Sequence, residues 1–287
     1  MNHCSYFIKD KAMFGSFPTQ ESVEELENEG VIYFVDLTSS DETKITPYTT
    51  NHTYIKYPIL DRNVPENIPS FCRMVIILSE IIVKLRKNEK LYLHCRAGHG
   101  RSGILVASIL CYIFKLSPYD SLLYTTKCHS NRSIMKDKWR RIGSPQTYQQ
   151  KKFIYKLFHP INMNKIYKPN IYSYRIYIKD NIFNNIFHAY NYYSQIYETD
   201  PSNVMFVEFE GENWDTKKEN IMKFIVVKSI ESNYELRENL LNSHLRPIIA
   251  HLEHDSLWGI GHDNCGQNKL GKILDDLRLT FIRETLK

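Results

Sequence analysis

The chain has 287 residues, 37 lysines and arginines against 32 aspartates and glutamates, and a formal net charge of +5. A charge this small is no nucleic-acid signature and tilts the protein only mildly toward anionic partners such as phosphoesters; nucleic acid stays open as a partner but is not indicated. Six cysteines, at 4, 72, 95, 111, 128 and 265, form neither a CxxC pair nor a regular framework, which argues against a disulfide scaffold and for thiols of a reducing compartment.

In chain order, the apolar, β-branched run 31–37 predicts a buried strand, and 53–59 a second one. Pro65 and Pro69 precede a long apolar segment, 71–85, expected to be a helix. A short apolar strand follows at 91–94, then a glycine-rich turn and an apolar helix at 102–114. Pro118 opens a helix over 118–127, and a further helix spans 147–158. The most apolar stretches, 74–83 with Glu80 inside it and 103–114, fall short of the ~18 apolar residues that a spanning helix needs. No signal-peptide layout opens the chain. The expectation is a cytoplasmic or nuclear protein without a membrane span. Residues 161–170, which carry Pro169 and no periodicity, read as a linker between a first domain, 1–160, and a second, 171–287.

The decisive segment is His94-Cys95-Arg96-Ala97-Gly98-His99-Gly100-Arg101-Ser102-Gly103, set between a strand and a helix. Backbone N–H groups at a helix N-terminus point at a bound anion, and the helix dipole favours negative charge there. Gly98 and Gly100 let the backbone bend around such a ligand. Cys95 at the mouth of the loop feels the same dipole and Arg101, surroundings that favour a nucleophilic thiolate. Arg101 offers a planar fork for two phosphate oxygens. Ser102 can donate to the sulfur as it leaves, and His94 orients the loop. The pattern resembles the HCxxGxxR signature of the protein tyrosine phosphatase superfamily. The resemblance covers roughly residues 1–160, including Phe14-Gly15-Ser16 ahead of a helix. It implies an α/β domain with a central sheet flanked by helices, and cysteine-dependent hydrolysis of phosphomonoesters without a cofactor or metal.

A leaving oxygen needs a proton. Pro58-Ile59-Leu60-Asp61-Arg62-Asn63-Val64-Pro65 places Asp61 between prolines after a strand, similar to the general-acid loop of dual-specificity phosphatases; Asp36, at a strand end, is the rival. The run Gln146-Thr147-Tyr148-Gln149-Gln150-Lys151-Lys152-Phe153 fits the QTxxQxxF pattern of classical tyrosine phosphatases. The resemblance gives Gln146 the task of positioning the hydrolytic water, with Gln150 able to share it. The backbone and side chains of His94, Arg96, Ala97, Gly98, His99 and Gly100 are the expected substrate contacts. Phosphorylated protein, on tyrosine or on serine and threonine, is the substrate the resemblance implies. Arg96 and His99 make the loop unusually basic, which keeps a phosphoinositide as an alternative beside an RNA 5′-phosphate.

In the second domain, His251, His254, His262 and Cys265 have spacings that suit zinc. The residues around them point elsewhere. Asp255-Ser256-Leu257-Trp258-Gly259-Ile260-Gly261, then Gly266-Gln267-Asn268-Lys269-Leu270-Gly271 and Arg278, resemble the C-terminal half of the NADAR (YbiA-like) family, and Trp214, Met222, Lys228, Leu240 and Leu241 fit its pattern upstream. The resemblance implies a smaller α+β module, N-glycosidase chemistry on ADP-ribose-type ligands, and a ligand pocket shaped by Trp258, Gly259, Gly261 and Asn268. Where the family opens with an E-H-x-x-Q-x-x-K-like segment, this chain reads Phe187-His188-Ala189-Tyr190-Asn191-Tyr192-Tyr193-Ser194. Phe and Ser replace the Glu and Lys linked to catalysis, so binding of ADP-ribose or another nucleotide without cleavage is expected. Glu208, Glu210 and Glu212 are the spare acids.

Overall fold

Strands covered on both faces read as unbroken apolar runs, and two such runs form the centre of the first sheet. The computed structural model describes residues 3–43, 45–168, 171–199 and 214–284, and the chain divides into two units, Met1–His159 and Pro160–Lys287. In chain order the first unit holds β1 (Cys4–Ile8), β2 (Ala12–Gly15), α1 (Gln20–Asn28), β3 (Val31–Asp36), β4 (Thr53–Lys56), α2 (Ile68–Lys84) and β5 (Lys90–His94). Four helices follow: α3 (Arg101–Phe114), α4 (Pro118–Ser130), α5 (Asp137–Ile142) and α6 (Tyr148–Phe158). The strands make one sheet in the order β1-β2-β5-β3-β4, with β1 antiparallel to β2 and every other neighbour parallel. β5 lies in the middle and delivers the chain to α3, which is buried from Arg101 to Cys111. Open α/β sheets bind ligands at the carboxyl ends of their strands, and the loop from β5 to α3 sits at that edge.

Local chemistry sets the helix starts. Asn67 caps α2 by accepting from Ser70 N–H at 2.8 Å, Ser117 caps α4 by accepting from Asp120 N–H at 3.1 Å, and α6 begins with a capping box between Thr147 and Gln150. α3 starts at Gly100 with no side-chain cap, which leaves its first N–H groups to a ligand. The expected strand 53–59 stops at Lys56, because Pro58 has no N–H for the ladder. Tyr57 and Ile59 still donate to Asp36 O at 2.9 Å and Leu37 O at 3.1 Å, and so guide the chain past the end of β3. β1, β2 and α5 were not expected from the sequence.

The second unit contains β6 (Ile161–Asn162), β7 (Ile176–Ile178), β8 (Asn181–Phe183), α7 (Ile186–Thr199), α8 (Trp214–Glu231), α9 (Tyr234–Asn242), β9 (Ile248–Ile249) and α10 (Lys269–Glu284). β6 pairs in parallel with β9, and β7 and β8 form an antiparallel hairpin. Ile221, Met222, Ile225, Val226 and Ile230 form one buried stripe on α8. Leu236, Leu240, Leu270 and Leu274 complete that core. The linker expected at 161–170 is corrected: Ile161 and Asn162 pair with β9, and Met163, Ile166 and Tyr167 are buried in the second core. Their apolar side chains bury more favourably than they would trail in water; residues 169 and 170 lie outside the described residues. Among the described residues, no helix is long and apolar enough to cross a membrane.

Candidate active site

The turn after β5 closes on itself through its glycines and through His94. Gly98 has φ of +72°, and a Cβ there would overlap the Gly15 backbone, so only glycine fits. Cys95 is 3% exposed, and its Sγ lies 3.5 Å from Ser102 Oγ. His94 is buried between the Phe17 and Tyr92 rings, with Nε2 2.7 Å from Tyr48 Oη and Nδ1 3.7 Å from Asp36 Oδ1. Burial pushes this imidazole down to about 4. It is neutral at pH 7 and supports the loop from behind instead of touching an anion.

Arg101 is 1% exposed at the first turn of α3. Its Nη1 donates to Ile59 O at 3.0 Å and to Glu42 Oε1; its Nη2 donates to Glu42 Oε2 at 3.1 Å and lies 3.0 Å from Asp61 Oδ1. Burial disfavours the charge, but the bond to Glu42, with Cys95 and Asp61 nearby, raises the guanidinium above its ordinary value. Nε is buried without a hydrogen-bond partner. Sequence reasoning missed Glu42, which belongs to no motif. Its only signal is an acid in the loop after a buried strand, on the edge of the sheet that carries the site. Burial pushes its carboxyl up, yet Arg101 and the Ser39 N–H hold it below the usual carboxylate range.

Asp61 has a half-exposed carboxylate that pairs with Arg101, in a turn closed by Asn63 N–H donating to Leu60 O at 3.1 Å. The rival acid is otherwise engaged. Asp36 is buried and accepts from Thr38 N–H and Oγ1 at 2.7 Å, Tyr54 Oη at 2.6 Å and Lys56 Nζ at 2.5 Å. Burial works against its ionisation, yet those donors, with His94 alongside, keep the carboxyl below its usual range. Gln146 is half-buried. Gln150 is fully buried, and a Cβ on Gly100 would lie 2.8 Å from its Nε2.

Two expected substrate contacts behave differently from one another. Arg96 is exposed at the loop, as is Ala97. His99 turns inward, stacks on Trp139 at 4.8 Å and sets Nδ1 2.7 Å from His129 Nε2. Burial pushes His99 down to about 4, so it adds no charge to the loop, contrary to the basic role expected of it. A second buried cation was also missed: Arg132 lies 4.4 Å over the Phe14 ring, donates to Phe14 O at 3.2 Å and backs Gly98.

In the second unit, the glycine-bearing segment folds into a tight turn ahead of α10. Asp255 Oδ1 accepts from Leu257 N–H at 2.9 Å and Trp258 N–H at 2.8 Å. Asn268 donates from Nδ2 to Ile248 O at 2.8 Å and accepts at Oδ1 from Ala250 N–H at 2.9 Å. The NADAR domain family model matches residues 138–282, just over half of the chain. The chain belongs to the NADAR family. Within its NADAR domain, Trp258 is 4% exposed and packs edge-on against Tyr190 at 5.3 Å. A Cβ on Gly259 would lie 2.8 Å from Ala250 O. Trp258, Gly259 and Asn268 are thus engaged in the domain's own packing, while Gly261, at φ of +67°, turns the chain where a Cβ would meet only ordinary contacts. Phe187 and Ser194 both lie on α7. Glu208, Glu210 and Glu212 lie outside the described residues. Among the described residues, no group of three or more His, Cys, Asp or Glu could hold a metal ion.

A second family model, described as polymorphic toxin system, DSP-PTPase phosphatase, matches residues 10–114, so a phosphatase-type domain precedes the NADAR domain. "Putative tyrosine phosphatase 197R" of Invertebrate iridescent virus 6 is 41% identical over 172 residues, covering 56% of this chain and 59% of the relative. "Putative tyrosine phosphatase 067L" of Invertebrate iridescent virus 3 is 39% identical over 160 residues, covering 55% of this chain and 66% of the relative. The chain therefore spans less than two thirds of the length of both. "N-glycosidase YbiA" of Escherichia coli (strain K12) is 36% identical over 66 residues, 23% of this chain and 41% of that protein.

Proposed function

We propose that the first domain hydrolyses phosphomonoesters, with phosphotyrosine and phosphoserine or phosphothreonine in proteins as substrates, through a phosphocysteine intermediate. The observation that carries this reading is the meeting of Arg101 with Asp61 at 3.0 Å beside a buried Cys95 that faces Ser102 at 3.5 Å. The cradle N–H groups and the unpartnered Arg101 Nε bind the phosphoryl oxygens, and the guanidinium follows them into the transition state. Cys95 Sγ attacks phosphorus; the P–O bond to the leaving group breaks as Asp61 gives that oxygen a proton. Water then attacks, passing its proton to Asp61, and the P–S bond breaks to release phosphate and thiolate, which Ser102 stabilises. Gln146 is the side chain left to orient that water, since Gln150 is committed elsewhere. A panel of phosphopeptides, phosphoinositides and triphosphorylated RNA, offered to the full chain, tests the substrate class. Turnover of lipid or RNA alone would reassign the substrate. No phosphomonoesterase activity at all would overturn the reading.

For the NADAR domain we propose binding of an ADP-ribose-type nucleotide without cleavage. Phe187 and Ser194 on α7 support this, since neither side chain can transfer a proton as Glu does or capture a sugar as Lys does. Calorimetry with ADP-ribose should show binding, and ADP-ribosylated guanosine should release no free ADP-ribose; hydrolysis would overturn the reading.

A further inference from the structure

The loop that carries Asp61 is tied down from two sides. Arg101 holds Ile59 O at 3.0 Å and the Asp61 carboxylate at 3.0 Å. A phosphoryl group entering the cradle competes for those same guanidinium donors, so this tie weakens when the acid is needed. Gln150 makes a tie that does not pass through Arg101. Its Nε2 donates to Asn63 O at 3.1 Å, across 87 positions of sequence. The amide cannot rotate away, because Oε1 accepts from Gln146 N–H and Thr147 N–H at 3.1 Å each, and Gln150 N–H donates to Thr147 Oγ1 at 3.2 Å. The same side chain packs against Gly100 of the cradle. Between the two ties, Arg62 adopts a left-handed φ of 61° and Asn63 N–H closes the turn on Leu60 O. Asp61 therefore sits in a short turn whose far end is bolted to the start of α6.

We propose that Gln150 is a positioning residue that holds the acid loop, and with it Asp61, over the cradle while phosphate occupies Arg101. This rests on the phosphatase reading of the first domain. Gln150 does not orient water, since both ends of its amide are engaged. Its effect passes through Asp61, and its removal resembles a partial loss of that acid.

Gln150→Glu separates the two duties of this side chain. A carboxylate still accepts from the Gln146 and Thr147 N–H groups, and glutamate is a regular capping-box partner, so α6 stays capped. The donor to Asn63 O is lost. In the full chain, amide hydrogen exchange of residues 59–65 should quicken by about five- to tenfold, the scale of one lost hydrogen bond, while exchange in α6 stays at the wild-type rate. The kcat for an alkyl phosphate should fall by about tenfold relative to the kcat for nitrophenyl phosphate, whose leaving group barely needs a proton. Any general loss from the added negative charge lowers both esters together and leaves their ratio unchanged. Unchanged exchange at 59–65, or equal losses on the two esters, would overturn the proposal. Inactivity of the wild type on both esters would instead sink the phosphatase reading, and the exchange measurement would still decide whether Gln150 anchors the loop.

Discussion

The proposed mechanism gives each side chain at the cradle a separable task. Cys95→Ser should abolish turnover while a phosphopeptide still binds by calorimetry, because the loop amides and Arg101 remain; wild-type turnover would refute a covalent mechanism. Arg101→Lys should lose at least the ~10²–10³-fold that removing one transition-state donor costs, and more if the compact ammonium leaves Glu42 and the Ile59 carbonyl poorly paired. Asp61→Asn should slow alkyl and peptide phosphates far more than nitrophenyl phosphate, whose leaving group barely needs a proton. Mild peroxide should modify Cys95 ahead of Cys111, whose thiol burial pushes up to about 11. Mass spectrometry of partially oxidised protein distinguishes the two. The turn that carries Cys95 and Arg101 was legible because an apolar strand, glycines and an apolar helix mark it in contiguous residues, and the proposed roles of Cys95, Arg101 and Asp61 rest on their motifs. Glu42 and Arg132 were not, since each reaches the loop from a segment whose neighbours in sequence say nothing about phosphate.

At the level of elements, turn and cap chemistry decides how firmly the site is held. Thr147→Ala removes the Oγ1 that accepts from Gln150 N–H and should cost about 1 kcal/mol of first-domain stability, read from the urea midpoint. The strand–turn–helix around Cys95 was expected from its apolar run and glycines, and so were α2 and α4 from their prolines. β2 escaped because four residues carry too little periodicity to recognise; it is a strand because it lies in parallel register beside β5, Phe14 opposite Leu93. The stretch 161–168 was misread for a related reason: short, proline-flanked apolar pieces become β6 and a buried turn only when β9, far along the chain, pairs with them.

Over the whole molecule, the first unit holds three neutral histidines whose burial links stability to pH. Burial drives His94 and His99 from 6.5 down to about 4 and His129 to about 3. Folded values below unfolded ones mean that the unfolded chain takes up protons first, so stability falls as pH drops from 6.5 toward 4. The buried carboxylates Asp36 and Glu42, held below 3.8 and 4.5, add their loss only at lower pH. Urea midpoints measured between neutral pH and about 4 should therefore decline, and His129→Gln should flatten part of that decline. A flat profile in the wild type would contradict the buried neutral assignment. In the NADAR domain, Asn268→Ala should lower the melting temperature, because its amide ties β9 to the turn ahead of α10; loss of nucleotide binding with unchanged stability would restore it to the ligand pocket. The sequence by itself carried the strand–turn–helix around Cys95 and the NADAR motif, since each is written in contiguous residues with fixed spacing. Tertiary structure decided which carboxylates meet Arg101, that His99 faces inward and neutral, that Gln150 donates to Asn63 O, and that Trp258 packs on Tyr190 while Asn268 bonds to Ile248 and Ala250. Those outcomes depend on burial and on hydrogen bonds between segments distant along the chain, and no local spacing records either.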